Sequence, residues 1–187
     1  MKFDYIKSTK VDDALYEYLE LARLLRLKKN QTILDVGCGL NHLKHVYDNV
    51  VGIDLARNSN ADVICDCLHL PFRDNIFDVA VSVELIEHLP PNHVDRFISE
   101  LIRVSKKFIG ISTVNKLTGK HDFRHVREFT VFELLGLFKR NGLRINDIGY
   151  GGRGKRFKGK FLGLLAKWLL PFWLTCEWFC IVGEKAR

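Results

Sequence analysis

One glycine turn constrains the fold of this chain more than any other feature. It follows an apolar run, residues 32–36, that has the length and β-branched content of a buried parallel strand. The run ends at Gly37 and Gly39, where the backbone must turn tightly and a ligand can approach it closely. A dinucleotide fingerprint would need a third glycine near position 42, where His42 stands, so the turn does not favour a dehydrogenase. The sequence therefore predicts a nucleotide-binding strand and turn of another kind.

Acidic residues lie at the ends of the first three predicted strands. Asp35 lies in the turn region, where its carboxylate can accept hydrogen bonds from a cationic amino group. Asp54 closes the apolar strand 50–53, where it can take both hydroxyls of a ribose. Asp66 follows a short third strand at 62–65. Three acids at successive strand ends indicate a binding edge on a parallel sheet.

This pattern resembles class I S-adenosylmethionine (SAM)-dependent methyltransferases, and the resemblance runs from about residue 32 to residue 148 in the family's order. The family's usual first motif is Asp-x-Gly-x-Gly-x-Gly, and Asn41 stands here at its last position. The spacing from Asp35 to Asp54 is about one helical turn shorter than usual, so we expect a short first helix. The resemblance implies an α/β, Rossmann-like fold, with a seven-stranded sheet, helices on both faces and an antiparallel last strand. The alternative is a doubly wound domain whose turn binds nothing or another nucleotide.

The resemblance also implies which residues contact the cofactor, SAM. Asp54 would hold the ribose, and Asp66 would meet the adenine amino group with Cys67 and Leu68 beside the ring. The alternative for Asp66 is a loop carboxylate that caps Leu68 and His69. The full predicted set is Asp35, Gly37, Gly39, Asp54, Leu55, Asp66, Cys67, Leu68 and Val83.

The segment after the fourth predicted strand, 79–83, is where chemistry is expected. Ligands lie beyond the carboxyl ends of the strands in open parallel sheets, so this segment should face the methyl group of SAM. Glu84, Glu87 and His88 have the spacing that converges on one side of a helical turn. The catalytic candidates are therefore His88 and Glu84, with His88 as a base that can remove a proton from an oxygen acceptor.

The Glu-x-x-Glu-His segment also resembles metal-assisted O-methyltransferases that act on polyprenyl catechols or on the 3′-terminal ribose of small RNAs. In the RNA group a further histidine follows the fifth strand, and His125 is the position that matches. The resemblance implies that Glu84, Glu87, His88 and His125 hold Mg²⁺ or Mn²⁺, which suit oxygen and imidazole ligands. The alternative is that Glu87 and His88 only line the pocket, because a Glu-His-Leu-Pro sequence here is widespread among methyltransferases without a metal.

Charge and cysteine content indicate the kind of partner and the compartment. The 187 residues include 29 Lys and Arg against 22 Asp and Glu, a formal charge of +7. This balance favours an anionic partner, and the alternative is simple solubility. The five cysteines form neither a zinc pattern nor a disulfide framework, which predicts reduced thiols in a cytoplasmic protein. The N-terminus does not resemble a signal peptide, and no apolar run reaches the roughly 20 residues of a membrane span.

One domain is expected over residues 1–187, with an N-terminal helical region at 1–30 and an insertion at 149–174 before the last strand. The insertion joins a strongly basic loop to an apolar helix that contains Trp168. Such a combination fits a membrane interface, so peripheral membrane contact through 153–173 is predicted. The alternatives are a helix that covers the sheet or a dimer partner, and RNA binding by the same charges.

Together these features predict a SAM-dependent methyltransferase that acts on a small, lipophilic or membrane-surface acceptor. The alternatives are an RNA ribose 2′-O-methyltransferase and a non-catalytic SAM-binding partner module. Acids at every expected cofactor position favour an enzyme over the module. The sequence does not indicate an oligomeric state.

Overall fold

A computed structural model describes residues 13–118, 122–151 and 176–186. The predicted membrane-contact segment and His121 lie outside these residues, and the first three residues of the predicted insertion belong to a strand. In chain order the elements are α1 (Asp13–Leu24), β1 (Ile33–Val36), β2 (Val50–Asp54), β3 (Val63–Ile64), β4 (Phe77–Val83), α2 (Val94–Val104), β5 (Ser105–Val114), α3 (Val131–Arg140), β6 (Leu143–Gly151) and β7 (Trp178–Lys185).

The strands form one seven-stranded sheet in the order β3-β2-β1-β4-β5-β7-β6. Strands β1 to β5 pair in parallel, whereas β7 runs antiparallel to both β5 and β6. The predicted antiparallel last strand is therefore confirmed. The chain first builds the sheet outward from β1 to β3 and then continues on the other side of β1 with β4. This reversal leaves a crevice at the carboxyl ends of β1 and β4, where ligands of such sheets bind.

Helices cover both faces of the sheet, as the alternation of side chains along β4 shows. Val79 and Val81 pack with Leu21 of α1 in one buried cluster. Ala80, between them, packs with Phe97 of α2 in a second cluster that also contains residues of α3. Because successive strand residues point to opposite faces, α1 lies on one side of the sheet and α2 and α3 on the other. The predicted Rossmann-like α/β fold is confirmed.

The first helix after β1 is short, as the sequence spacing predicted. Only a 3₁₀ helix, His42–His45, stands between the glycine turn and β2. Asn41 precedes it in the left-handed region with φ 56°, a conformation that glycine or asparagine adopts most readily. Its side-chain amide donates to the carbonyl oxygen of Asn60 at 3.0 Å. Asparagine therefore meets the backbone requirement that the family's last glycine would meet.

Local signals fix the start of α3 as well. The Thr130 hydroxyl accepts a hydrogen bond from the backbone N–H of Glu133, and the Glu133 carboxylate accepts one from the N–H of Thr130. This is the capping box that the sequence predicts. The helix ends before Gly142, which has φ 75°. No helix among the described residues is long and apolar enough to cross a membrane.

Candidate active site

A cavity of about 360 Å³ opens at the carboxyl edge of the parallel strands. Its wall combines the glycine turn, the residues after β2 and β3, and the segment after β4. The lining residues are Gly37, Ile53, Asp54, Leu55, Cys65, Asp66, Cys67, Leu68, Leu85, His88, Leu89 and His93. Seven predicted site residues are among them, and the structure thus brings most of the predicted cofactor set together.

Asp54 connects the glycine turn to this cavity. One of its carboxylate oxygens accepts a hydrogen bond from the N–H of Gly39 at 2.9 Å, and the other accepts from the N–H of Ala56 at 2.8 Å. Each carboxylate oxygen keeps a further lone pair, so the group can still accept hydroxyl donors from a ligand in the cavity. Leu55 follows in the wall and is 71% exposed.

The two glycines of the turn have different surroundings. Gly37 has φ 74°, and a side chain there would begin 2.9 Å from a terminal carbon of Leu85. Gly39 has φ 48° with open space around it, and it does not line the cavity. Both positions need glycine for the backbone, and Gly37 also needs it for space.

Val83 departs from the predicted cofactor set. It is 4% exposed and packs in the cluster beneath α1, together with Val79 and Val81. Because the side chains of a strand alternate between the two faces of the sheet, Val83 points to the same face as Val79 and Val81. The cavity wall is instead formed by Leu85, two residues further on.

Asp35 is fully buried beneath α1 and does not line the cavity. Its Oδ1 accepts a hydrogen bond from the Tyr18 hydroxyl at 3.0 Å, and no donor among the described residues reaches Oδ2. Burial, opposed by the Tyr18 hydrogen bond, raises the pKa of Asp35 to about 7. The free buried oxygen is compatible with the predicted role of accepting from a cationic amino group.

Asp66 makes the loop-capping contact that the sequence analysis gives as the alternative to adenine binding. Its Oδ1 accepts a hydrogen bond from the N–H of Leu68 at 2.9 Å. Asp66, Cys67 and Leu68 nevertheless all line the cavity. The two roles are compatible, because Oδ2, which lies 3.6 Å from His69 Nδ1, keeps a further lone pair for a ligand.

Glu87, His88 and His125 form the described group that could hold a metal ion, with candidate ligand atoms within 4.8 Å of one another. The Glu87 side chain is fully buried, and its Oε2 accepts a hydrogen bond from the Thr113 hydroxyl at 3.0 Å. No donor in the described part of the chain reaches its Oε1. Burial is the main reason that the pKa of Glu87 rises to about 7.

The two histidines are held in the way that metal-bound histidines usually are. His88 Nδ1 lies 3.1 Å from the carbonyl oxygen of Arg124, and His125 Nδ1 lies 3.0 Å from a carboxylate oxygen of Glu128. The rings meet edge to face, with centroids 5.2 Å apart. If each Nδ1 carries the proton, each Nε2 is left as a ligand or a base. The donor set therefore fits a divalent ion.

Glu84 does not belong to this group of three. It lies just after β4 in the left-handed region, with φ 49°. Its carboxyl group lies close enough to that of Glu17 in α1 to contribute to a raised Glu17 pKa. The four predicted metal ligands are thus divided between two neighbouring clusters.

Several residues of the site were not predicted from the sequence. Leu85, Leu89 and His93 line the cavity, and their place in the segment after β4 could have indicated them. Glu17 and Tyr18 come from α1, far away in the sequence. The sequence does contain a signal for Glu17. This acid precedes Leu21 by four residues, which places it on the buried face of the helix.

The comparisons with known proteins agree with this geometry. Residues 34–108 match a family model described as a methyltransferase domain. The chain is 32% identical over 121 residues to 24-methylenesterol C-methyltransferase 2 of Arabidopsis thaliana, which covers 54% of this chain and 33% of that protein. It is 36% identical over 88 residues to probable tRNA methyltransferase 9B of Homo sapiens, which covers 41% and 19%. The chain thus spans a third or less of these two curated relatives.

Among solved structures, a SAM-dependent methyltransferase from Archaeoglobus fulgidus shares the fold, with a TM-score of 0.67. The sequence identity is 18%, and the match covers 90% of this chain and 94% of that chain.

The chain has the Rossmann-like fold of a solved SAM-dependent methyltransferase, and residues 34–108 match the methyltransferase-domain model. This confirms the predicted resemblance to class I SAM-dependent methyltransferases, and with it SAM as the cofactor of the class.

Proposed function

We propose that the protein is a SAM-dependent methyltransferase for a small, lipophilic or membrane-surface acceptor. The observation that carries this proposal is the cavity at the reversal of strand order, with Asp54, Asp66 and His88 in its wall. The apolar side chains of Leu85 and Leu89 in the same wall suit a lipophilic ligand. A curated relative whose name includes a sterol supports the same acceptor class.

In this proposal the adenosine part of SAM lies over the ends of β2 and β3. Asp54 accepts hydrogen bonds from the ribose hydroxyls with the lone pairs that Gly39 and Ala56 leave free. Asp66 accepts from the adenine amino group, with Cys67 and Leu68 against the ring. Asp35 has a buried oxygen without a donor among the described residues but lies outside the cavity wall, so its contact with the amino group of the methionine part rests on the resemblance alone.

The bound cofactor supplies a methyl group on a positively charged sulfur. An acceptor lone pair forms the new bond to that methyl carbon, the carbon–sulfur bond breaks, and its electron pair remains on sulfur. The protein orients the acceptor and excludes water, which can contribute on the order of 7 kcal/mol or more to lowering the barrier. His88 Nε2 takes the proton of an oxygen acceptor while Nδ1 holds the ring to the Arg124 carbonyl.

As an alternative to His88 acting as a base, we propose that Glu87, His88 and His125 hold a divalent ion, Mg²⁺ or Mn²⁺. A divalent ion held by these residues would lower the pKa of an acceptor hydroxyl, so that no separate base would be needed. Thr113 and Glu128 then orient the ligands Glu87 and His125 from behind. Metal-assisted transfer to the ribose 2′-hydroxyl of RNA is the second candidate function, supported by the similarity to a probable tRNA methyltransferase.

Titration with SAM, followed by an acceptor panel, tests these proposals. The panel contains a sterol, a polyprenyl catechol and a short RNA with a free 3′-terminal ribose, and mass spectrometry measures the gain of one methyl group. Methylation of the sterol or the catechol supports the lipophilic acceptor. Methylation of the RNA alone moves the second candidate ahead, and a chain that does not bind SAM contradicts both.

A further inference from the structure

Four exposed apolar side chains lie in the stretch that follows β5. They belong to the 3₁₀ helix Lys116–Thr118, the loop at 122–130 and the start of α3. The four are Leu117, Phe123, Val126 and Phe132, and we refer to them as the apolar rim. The other large apolar side chains that are exposed in the described part of the chain occur singly from α1 to β6, as is normal for a protein surface. A group of four between positions 117 and 132 instead indicates an interaction surface.

Phe123 is the most exposed member of the apolar rim. It is 97% exposed, although hydrogen bonds order the turn that carries it. The carboxylate of Asp122 accepts from the backbone N–H of Arg124 at 2.9 Å and also from its guanidinium. The turn therefore holds an aromatic ring in solvent, where the free energy of burying that ring remains available to a partner.

The loop that carries Phe123 and Val126 is attached to the wall of the cavity. The carbonyl oxygen of Arg124 lies 3.1 Å from Nδ1 of His88, which lines the cavity. The N–H of Val126 donates to the carbonyl oxygen of Glu87 at 2.9 Å. This part of the apolar rim therefore borders the side of the cavity that the segment after β4 forms.

Backbone pairing brings the two ends of the apolar rim towards each other. Asn115 forms a parallel bridge with Phe129, and the N–H of Lys116 donates to the carbonyl oxygen of Phe129 at 2.9 Å. Leu117 thus lies beside the segment that leads into α3 and Phe132.

Basic residues are interleaved with the apolar rim. Lys116, Arg124 and Arg127 each directly precede or follow one of its members in the sequence. Arg124 pairs with Asp122, and Arg127 pairs with Glu133. These ion pairs are partly exposed and contribute little, so either arginine can exchange its acid for a phosphate group at small cost. The region can therefore contact an apolar phase and anionic groups together.

We propose that the apolar rim docks the protein on the surface of an anionic lipid bilayer, with the Phe123 ring entering the interface. Apolar tips next to basic groups match the acyl chains and the anionic headgroups of such a surface. A partner protein would need a face of roughly 800 Å² on each side, and a single ring that projects from a turn does not provide one. RNA could pair with the basic groups and stack on Phe123, but it would have no use for Leu117 and Val126.

Docking in this orientation would bring the segment after β4 to the bilayer. A lipophilic acceptor could then reach His88 without crossing water. This route rests on the proposed function above, whereas the docking itself does not. The apolar rim is also separate in sequence from the predicted membrane-contact segment 153–173.

Sedimentation with vesicles of phosphatidylcholine and phosphatidylserine in equal parts, without cofactor or acceptor, measures the docking. Phe123→Ser should bind these vesicles at least tenfold more weakly than the wild type, because it removes a large apolar group from the interface. Phe123→Trp should bind as the wild type does, since tryptophan also favours a membrane interface. Thermal unfolding should be the same for all three chains, because the ring packs against little of the protein.

The matched control is Ile76→Ser, which removes an exposed apolar side chain just before β4, at the edge of the sheet opposite the cavity. It should bind vesicles as the wild type does. Equal vesicle binding by Phe123→Ser and the wild type, or no binding by either, would overturn the proposal. It would also be overturned if Phe123→Ser lost affinity for an RNA probe but not for vesicles. No outcome depends on methyl transfer, so the acceptor panel can fail while the docking stands, and the reverse also holds.

Discussion

Asp54 is the residue on which the proposed cofactor site depends most. Its two oxygens already fix Gly39 and Ala56, so it also shapes the turn that faces the cavity. Asp54→Ala should weaken SAM binding at least tenfold in calorimetry, because a charge-assisted hydrogen bond contributes about 1.5–3 kcal/mol.

Two companion variants separate recognition from turn geometry. Asp54→Asn keeps an oxygen for a backbone N–H but loses the charge, and it should still bind SAM more weakly than the wild type. Asp48→Ala, an exposed acid just before β2, should bind normally. Unchanged affinity in Asp54→Ala would remove this residue from the site.

Asp35 should make the stability of the chain depend on pH. Its pKa of about 7 in the folded protein lies above the ordinary value, so the protonated form favours folding. This contribution is complete below about pH 4 and is lost as the pH rises to 7, by about 1.4 kcal/mol per pH unit. Asp35→Asn can keep the Tyr18 contact and has no such loss.

Urea unfolding of both chains at pH 5 and pH 8 tests this expectation. Relative to the wild type, Asp35→Asn should gain about 2–3 kcal/mol in unfolding free energy between pH 5 and pH 8. Taking the difference between the two chains removes the pH dependence of all other groups. A constant difference would mean that Asp35 is ionised at both pH values.

The proposed metal group can be tested with a matched pair of histidines. His125 belongs to the group, whereas His93 lines the same cavity outside it. His125→Asn should weaken Mn²⁺ binding at least tenfold, and His93→Asn should not. Electron paramagnetic resonance measures the binding.

Wild-type turnover should also be lost after EDTA treatment and restored by added Mn²⁺. If activity persists in EDTA, the metal proposal is wrong and His88 only lines the cavity.

At the scale of elements, the capping box of α3 is a local device with a measurable effect. Thr130→Ala removes the hydroxyl that accepts from the N–H of Glu133, which should cost about 1 kcal/mol of unfolding free energy. Ser99→Ala is the control, since the exposed Ser99 hydroxyl donates to the carbonyl oxygen of Asp95 within α2 and caps no helix. Chemical denaturation of the two variants should show a lower midpoint for Thr130→Ala alone.

The order and type of the elements could be predicted, but several of their ends could not. The apolar run 108–112 predicts a fifth strand, whereas β5 is found at Ser105–Val114 because pairing with both neighbours extends it through polar residues. Strand β3 was expected over 62–65 and is only Val63–Ile64. The carboxylate of Asp62 instead accepts from the N–H of Gly52 and so belongs to the turn that enters the strand. Tertiary contacts determine where these strands end, and the local sequence pattern gives no information about those contacts.

Helix α1 shows the same limit for side chains. The spacing of apolar residues in the sequence predicts a buried stripe that includes Leu19 and Ala22, whereas the structure buries Tyr18 and Leu21 more fully. This rotation brings Tyr18 to Asp35 and Glu17 to Ser112. Residues separated by up to 95 positions thus meet in one site. Periodicity predicts that a helix has a buried face, but only packing shows which polar groups that face contacts.

For the whole molecule, the cofactor side of the site was predictable and the acceptor side was not. Asp54 at the end of β2 and Asp66 after β3 lie at the binding edge because the parallel strands end there, whereas Asp35 lies within β1 and is buried beneath α1. The acceptor side combines the segment after β4, α1 and the loop that follows β5, which approach one another only in the folded chain. That is why Glu84, predicted beside His125, lies instead beside Glu17.

The last prediction concerns the formal charge of +7 and the segment 153–173, which lies outside the described residues. Its five basic residues between 153 and 160 precede an apolar, tryptophan-containing stretch. Each basic residue near an anionic surface contributes about 1 kcal/mol, and a short apolar helix can lie in the interface without spanning it. The chain should therefore sediment with anionic vesicles but not with neutral ones. Glutamine at the five basic positions should abolish this binding while thermal unfolding stays unchanged. A chain that ignores anionic vesicles but shifts an RNA probe in a salt-dependent way would favour RNA as the partner instead.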